Sequence, residues 1–359
     1  MVVSRTVSAP APRTRRLRLR SVVLSSSLGL VLIGAVIASA VTGQLSISPL
    51  DVLGSILKWG GIPTTFAPVD PIIEATLKVV RFPRIVMALT VGAALAVAGA
   101  VMQAVFGNPL AEPGVVGVSS GAALGASTAI VFGVSAGGGG VALLAFLGAL
   151  GATLLVYAVA RAGGRTEVVT LLLTGIAINA FAQAGLAFVL FLADTASREQ
   201  IVFWQLGSLA GSVWSEVLIV LPVLILGTIL AILMAGKLDL LSLGERNARH
   251  LGVDVEQLRI VAIVLVALLT GVAVAFAGII AFVGLVVPHI IRMALGPSHR
   301  GLLIASAVGG GALLVIADLL TRTLVSGADL PIGMLTALVG GPFFFGLIYQ
   351  QRRRSGGWA

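Results

Sequence analysis

Runs of some twenty apolar residues recur from one end of this chain to the other, and they restrict its fold more than any motif does. Crossing the hydrocarbon core of a bilayer takes about 20 such residues in a helix. Charge agrees: 10% of the 359 residues are charged, against roughly a quarter in soluble domains. The reading is an all-α integral membrane protein with one transmembrane domain, residues 21–350, and no separate soluble domain. There is no cysteine, so disulfides and thiolate metal sites are excluded.

Hydropathy and helix breakers divide the domain into about ten spans: 21–43, 78–106, 117–133, 139–162, 168–193, 214–235, 255–276, 285–295, 301–324 and 332–350. An amphipathic stretch at 49–59 and a loop to Glu74 follow the first span. A polar connector at 194–212, carrying Trp204, follows the fifth. Residues 1–20 hold Arg5, Arg13, Arg15, Arg16, Arg18 and Arg20 and read as a disordered basic tail at an anionic membrane surface. A second short tail is 351–359. Ala38-Ser39-Ala40 resembles a signal-peptidase site, but the apolar run before it is long for a signal peptide, so the span is read as retained. With the N-terminus inside, seventeen of the twenty-three Lys and Arg residues fall on the cytoplasmic side. The positive-inside rule therefore puts both termini in the cytoplasm. It also explains the net charge of +9 by the membrane rather than by nucleic acid.

One polar stretch, 236–259, interrupts this apolar chain with Lys237, Asp239, Glu245, Arg246, Arg249, Asp254, Glu256 and Arg259. It reads as two short capped helices. Ser242 and Glu245 have capping-box spacing. Gly252 fits the left-handed position that closes a helix. Asp254, with Gln257 three residues on, opens the next. A compact helical pair on the cytoplasmic side is suited to presentation to a partner; the plain alternative is a solvated connector.

The chain also reads as two repeats, about 21–193 and 214–350. A shift of 179 residues lays Gly92, Ala94, Ala96, Ala98 and Gly99 on Gly271, Ala273, Ala275, Ala277 and Gly278, and Pro109 on Pro288. Five spans per half require the second copy to insert upside down, as inverted repeats do in many transporters. Small residues at Gly117, Gly121 and Gly125, and at Gly92, Ala96 and Ala100, recur every four positions and let helices approach closely.

No phosphate-binding loop and no metal-ligand spacing among His250, His289 and His299 is present, so the chain is expected neither to hydrolyse ATP nor to be an enzyme. Its intramembrane polar residues are Gln103, Asn108, Glu112, Asn179, Gln183 and Asp318; ionisable groups at such depth are functional candidates. Asp318 has a structural alternative in Arg322, four residues on. Asn108, Pro109, Glu112 and Pro113 form a helix break, where freed backbone groups need partners.

Arg81-Phe82-Pro83-Arg84, followed by VGAALAVAGAVMQAVFGNPLAEPGVVGVSSGAALGA, resembles the FecCD-type permease subunit of bacterial ABC importers for ferric siderophores, haem and cobalamin. LLLTGIAINA at 171–180, LLSLGERNARHLGV at 240–253, FVGLVVPHIIR at 282–292 and DLPIGMLTALVGGPFF at 329–344 extend the resemblance. Ile279 and Ala281 stand where the family has a proline and a second glycine, and Asp329 replaces its glutamate.

The resemblance implies a type II ABC importer permease in the bacterial cytoplasmic membrane that binds no cofactor itself. A cytoplasmic ATPase dimer using ATP and Mg would receive Leu243, Gly244, Glu245, Arg246, Arg249, Leu251 and Gly252. A second permease subunit, identical or paralogous, would complete the pathway, lined here by Thr174, Asn179 and Gln183. An extracytoplasmic binding protein would dock on Arg81, Arg84 and Arg322, with Asp318 orienting Arg322. The cargo is read as an iron–siderophore complex, with haem or cobalamin as the alternative. A proton- or sodium-driven transporter using Glu112 or Asp318, or a channel, remains open from the residues themselves.

Overall fold

A computed structural model describes residues 13–134, 139–162, 165–325 and 327–354. Its helices are α1 (Arg13–Val41), α2 (Pro49–Trp59), α3 (Pro71–Ala75), α4 (Phe82–Phe106), α5 (Val118–Val131), α6 (Gly140–Ala160), α7 (Val168–Leu192), α8 (Thr195–Leu206), α9 (Trp214–Leu241), α10 (Glu245–His250), α11 (Val255–Ala277), α12 (Val283–Leu295), α13 (His299–Thr323) and α14 (Ile332–Arg354). A two-residue strand pair, Arg161–Ala162 with Arg165–Thr166, joins α6 to α7. Seven helical segments are long and apolar enough to cross a membrane, and α5, α12 and the 332–347 part of α14 are shorter apolar helices.

Several boundaries differ from those read in the sequence. Helix α1 begins at Arg13, so residues 13–20 of the basic tail are helical and lead into the apolar segment Val23–Val41; residues 1–12 and 355–359 lie outside the described residues. The connector at 194–212 contains α8, started by Asp194, whose carboxylate accepts from the Ser197 amide at 2.8 Å. That bond holds the Asp194 carboxyl below its usual range. The second span starts earlier, at Pro71, and runs through a π-helical stretch, Thr76–Arg81, into α4. Pro83 explains the stretch. A proline inside a helix lacks an amide and crowds the carbonyl four residues back. Widening to a bond between the Phe82 amide and the Leu77 carbonyl accommodates it.

Helix α4 is the axis of the bundle. It is apolar on every side, which is the pattern of a helix enclosed by others, and 89% of its most apolar window is buried. It packs against α9, α11, α12 and α13. Two glycine pairs make the approach possible. A Cβ on Gly92 would overlap the Gly310 carbonyl of α13, and one on Gly99 would overlap the Gly284 carbonyl of α12. Gly121 and Gly148 make a third such contact between α5 and α6, while Gly125 meets the Leu144 carbonyl. Gly117 is not part of that row. It sits at φ +85° before α5, a left-handed position.

The proline match behind the 179-residue shift does not survive. Pro109 lies in a turn after α4, whereas Pro288 is inside α12. Gly99 is mid-helix and Gly278 terminates α11.

The glycine contacts set a clear expectation. Gly99→Ala should lower the thermal unfolding midpoint in detergent, with about 1–3 kcal/mol lost to overpacking. Gly151→Ala, on a face of α6 with nothing within 4 Å, should leave it unchanged or higher. A Gly99→Ala protein as stable as wild type contradicts the close backbone contact.

Candidate functional site

The polar stretch 236–259 folds into a tight corner between two long helices. Nothing in Lys237–Leu241 breaks a helix, so α9 continues through these residues and Ser242 arrives as the residue that caps its C-terminal end. Ser242 Oγ donates to the Asp239 carbonyl at 2.6 Å. The expected capping box of Ser242 and Glu245 is therefore not formed; the residue before α10 is Gly244, at φ +102°. Gly252 behaves as read, at φ +84°. The Gly252 and Val253 amides donate to the Arg249 and Ala248 carbonyls, both at 3.0 Å, which is the two-bond Schellman closure. Asp254 accepts from the Gln257 amide at 3.0 Å and starts α11.

Glu245 holds the corner in place. It pairs with Arg249 one turn on and with the buried Arg259 of α11 at 3.3 Å. Leu243 and Leu251 stay 60% and 58% exposed on either side of α10, and Arg246 and Arg249 are exposed between them. Asp239 does something the sequence did not announce. It accepts from the His299 amide at 2.8 Å and lies 2.7 Å from His299 Nδ1. This fastens the end of α9 to the start of α13, sixty residues away.

At the opposite ends of α4 and α13 the structure brings Arg81, Arg84 and Arg322 together around one cleft of about 290 Å³ that Asp329 also lines. Each arginine already has partners in this chain. Arg81 is buried and donates to the Ala40, Val41 and Leu45 carbonyls. Arg84 pairs with Asp318 and Asp329, both at 2.8 Å. Arg322 pairs with Asp318 at 3.1 Å and donates to Ser39 Oγ at 2.7 Å. Asp318 thus pairs with both arginines, not Arg322 alone.

The helix break lies against the interior of the bundle. Asn108 Oδ1 accepts from the Leu110 amide at 2.9 Å, and Gly107 ends α4 in the left-handed region at φ +58°. Glu112 Oε1 accepts from the Phe282 amide at 3.1 Å, so its partner lies before α12 and not among the freed backbone groups of the break itself. Pro113 opens a 3-10 turn. Phe282 is the residue that sequence reasoning missed. It is the sole non-glycine with positive φ among the described residues, at +68°, a strained position for a bulky side chain. A Cβ on Gly340 would overlap its ring, so Phe282 packs on α14. The missing second glycine at 281–282 was the available signal.

The three pathway residues on α7 do not act alike. Asn179 Oδ1 accepts from Ser120 Oγ at 2.5 Å, and its amide donates to the Gly114 carbonyl at 3.4 Å. Gln183 is exposed and Thr174 half-buried. Thr174 lies five residues from Asn179, well off the face that Asn179 and Gln183 share. Among the described residues no group of three His, Asp or Glu side chains converges on a metal-sized site.

A bundle of apolar helices around a buried axis, with a folded polar corner at one end and a charge-lined cleft at the other, defines a multi-pass membrane permease. The chain belongs to the FecCD transport family, whose model matches residues 30–350, and it is an ABC importer permease of that family. It is 44% identical to the hemin transport system permease protein HmuU of Yersinia pestis, over 77% of this chain and 84% of that protein. It is 40% identical to the cobalamin import system permease protein BtuC of Halobacterium salinarum, over 85% of this chain and 83% of that one. A solved inward-facing transporter, described as of the metal-chelate ABC type, matches with a TM-score of 0.80 and 34% identity over 91% of this chain and 99% of its own.

The charge cluster predicts its own stability signature. Arg84→Ala leaves Asp318, whose side chain is 2% exposed, with Arg322 alone. Breaking a buried pair by removing one member costs about 3–5 kcal/mol, a cost that the surviving Arg322 lessens. The unfolding midpoint should fall in Arg84→Ala and fall further when Asp318→Asn also takes the carboxylate from Arg322. An unchanged midpoint in the single variant argues that the pairs contribute nothing.

Proposed function

We propose that this chain forms half of the membrane pathway of an ATP-driven importer that moves an iron–siderophore complex across the bacterial cytoplasmic membrane, with both termini cytoplasmic. The observation that carries the reading is the α9–α10–α11 corner: exposed Leu243, Arg246, Arg249 and Leu251 on a rigid polar corner, in a chain with no nucleotide-binding loop of its own. An ATPase dimer using ATP and Mg is the partner that such a face fits, with Gly244 and Gly252 setting the bends and Glu245 bracing them. A second permease subunit fits the exposed apolar side of α7, where Leu173, Ile176, Phe181, Phe188 and Phe191 lack cover. Each subunit would contribute about ten spans in two inverted five-helix repeats, with Gln183 facing the route and Asn179 supporting it. An acidic binding protein docks at the Arg81, Arg84 and Arg322 cleft by competing with Asp318 and Asp329 for the guanidinium groups.

The metal-chelate relative supports a metal complex as cargo, the class to which an iron–siderophore belongs; HmuU supports haem as the second reading, and cobalamin follows from BtuC. Coupling to protons or sodium is the weaker reading, because Asp318 is committed to two arginines and Glu112 to the Phe282 amide.

Uptake by a deletion strain complemented with this chain, offered labelled ferric siderophores, haem and cobalamin, tests the cargo. Siderophore uptake that stops when the ATPase partner is removed, with the proton gradient intact, is the expected result; uptake that persists overturns the motor assignment. In the same assay Gly252→Val should insert normally yet lose transport, since a β-branched residue in the left-handed region costs about 1 kcal/mol or more.

The chain is free of cysteine, so the route is open to direct mapping. Single cysteines along α7 should react with a polar thiol reagent in a helical stripe through position 183. Uniform protection counts against a water-lined route on α7.

A further inference from the structure

A groove of about 710 Å³ opens on the flank of the bundle between α6, α9 and α11. Its walls are apolar, with Ala142, Phe146, Ile219, Val223, Val272 and Phe276 along its length, and one carboxylate, Glu216, at its rim. The volume lies in the range of small-molecule sites, about 300–1,000 Å³. It adjoins the outward side of α9, where Leu218, Ile219 and Leu226 are exposed, so it faces lipid rather than the buried axis.

Two independent observations say what covers it. The first is depth. Trp214, two residues before Glu216, donates its indole N–H to the Lys78 carbonyl at 2.8 Å. It meets Trp59 edge-on at 5.2 Å, and Trp59 stacks on Phe82 at 6.0 Å. Such indole clusters sit at the headgroup level of a bilayer. Glu216 therefore lies just inside that level, and Ile219 and Val223 line the groove one and two turns deeper. The second is charge. Glu216 has no ion-pair partner among the described residues; its polar contact is the Val213 amide of its own helix start, at 3.4 Å. A carboxylate at the edge of hydrocarbon is costly without a cation to meet it.

We propose that this groove binds an aminophospholipid, with one acyl chain along Phe146, Val223 and Phe276 and its ammonium group on Glu216. An ammonium headgroup supplies the missing cation and its N–H donors, and its chain fills the apolar walls.

The test uses the full chain, stripped of lipid in detergent and titrated with phosphatidylethanolamine, phosphatidylcholine or phosphatidylglycerol, with bound lipid counted by native mass spectrometry. Phosphatidylethanolamine should bind about fivefold tighter than phosphatidylglycerol, the ratio that roughly 1 kcal/mol provides. Phosphatidylcholine, which has the charge without the N–H groups, should fall between. Glu216→Gln keeps an oxygen for the Val213 amide, since Gln serves that capping role as Glu does, and should bring the ratio close to one. Ala142→Leu, which narrows the groove, should weaken all three lipids. Equal binding of the three lipids by wild type overturns the proposal. So does a phosphatidylethanolamine preference that persists in Glu216→Gln, or binding that Ala142→Leu leaves unchanged.

Discussion

The contact of bare backbone on bare backbone along α4 is what the rest of the structure depends on. Lipid tails are as apolar as leucine, so burying an aliphatic side chain between two helices gains little over leaving it in the bilayer. What remains is close van der Waals contact, and its strength falls steeply with any gap. Gly92 against Gly310 and Gly99 against Gly284 remove the side chains that would hold the helices apart. Helices α12 and α13 are thereby set on α4, and α9 and α11 close around the same axis. Arg84, Asp318 and Arg322, at the neighbouring ends of α4 and α13, take their positions from that arrangement.

Charge then ties what the glycines have placed. Arg84 of α4 and Arg322 of α13 share Asp318, and Asp329 brings in the approach to α14. Arg81 reaches the carbonyls at the end of α1 and just beyond it from the end of a π-helical stretch that Pro83 makes necessary. These groups satisfy backbone and carboxylate oxygens that have little access to water. The cleft they surround is therefore already organised before any partner arrives.

Much of this was legible in the sequence, for identifiable reasons. The apolar runs marked the helices because span length is set by the bilayer, and α2, α7 and α11 came within a residue of their observed bounds. Gly252 was legible because a positive φ favours glycine and the turn closes locally. The failures share a different cause. Ser242 has the right spacing for a cap, but whether it starts a helix or ends one depends on how far α9 runs, which the polar residues Lys237 and Asp239 disguised. Pro109 and Pro288 matched in register while lying in a turn and a helix, because composition this rich in alanine and glycine matches by chance. Asp239 with His299, Arg84 with Asp318, and Glu112 with Phe282 join residues 60, 234 and 170 positions apart. No local pattern reports them. The bonds of Asn179 to Ser120 and Gly114 likewise depend on how the α5 approach folds back beside α7.

Helix α13 is fastened at both ends, by Asp239 at His299 and by Arg84 at Asp318. The nineteen residue steps from His299 to Asp318 make a strut about 28 Å long at 1.5 Å per residue. A strut pinned at two points transmits tilt with little bending. If the foot at α9 pivots by about 5°, the head moves by roughly 2.5 Å over that length, comparable to one hydrogen bond's reach. Helix α13 is thus a single rigid element that carries both a tie to the polar corner at His299 and the Arg84 and Arg322 pairs at Asp318. Leverage, rather than a relay of contacts, is what this geometry offers for carrying a displacement across the bilayer.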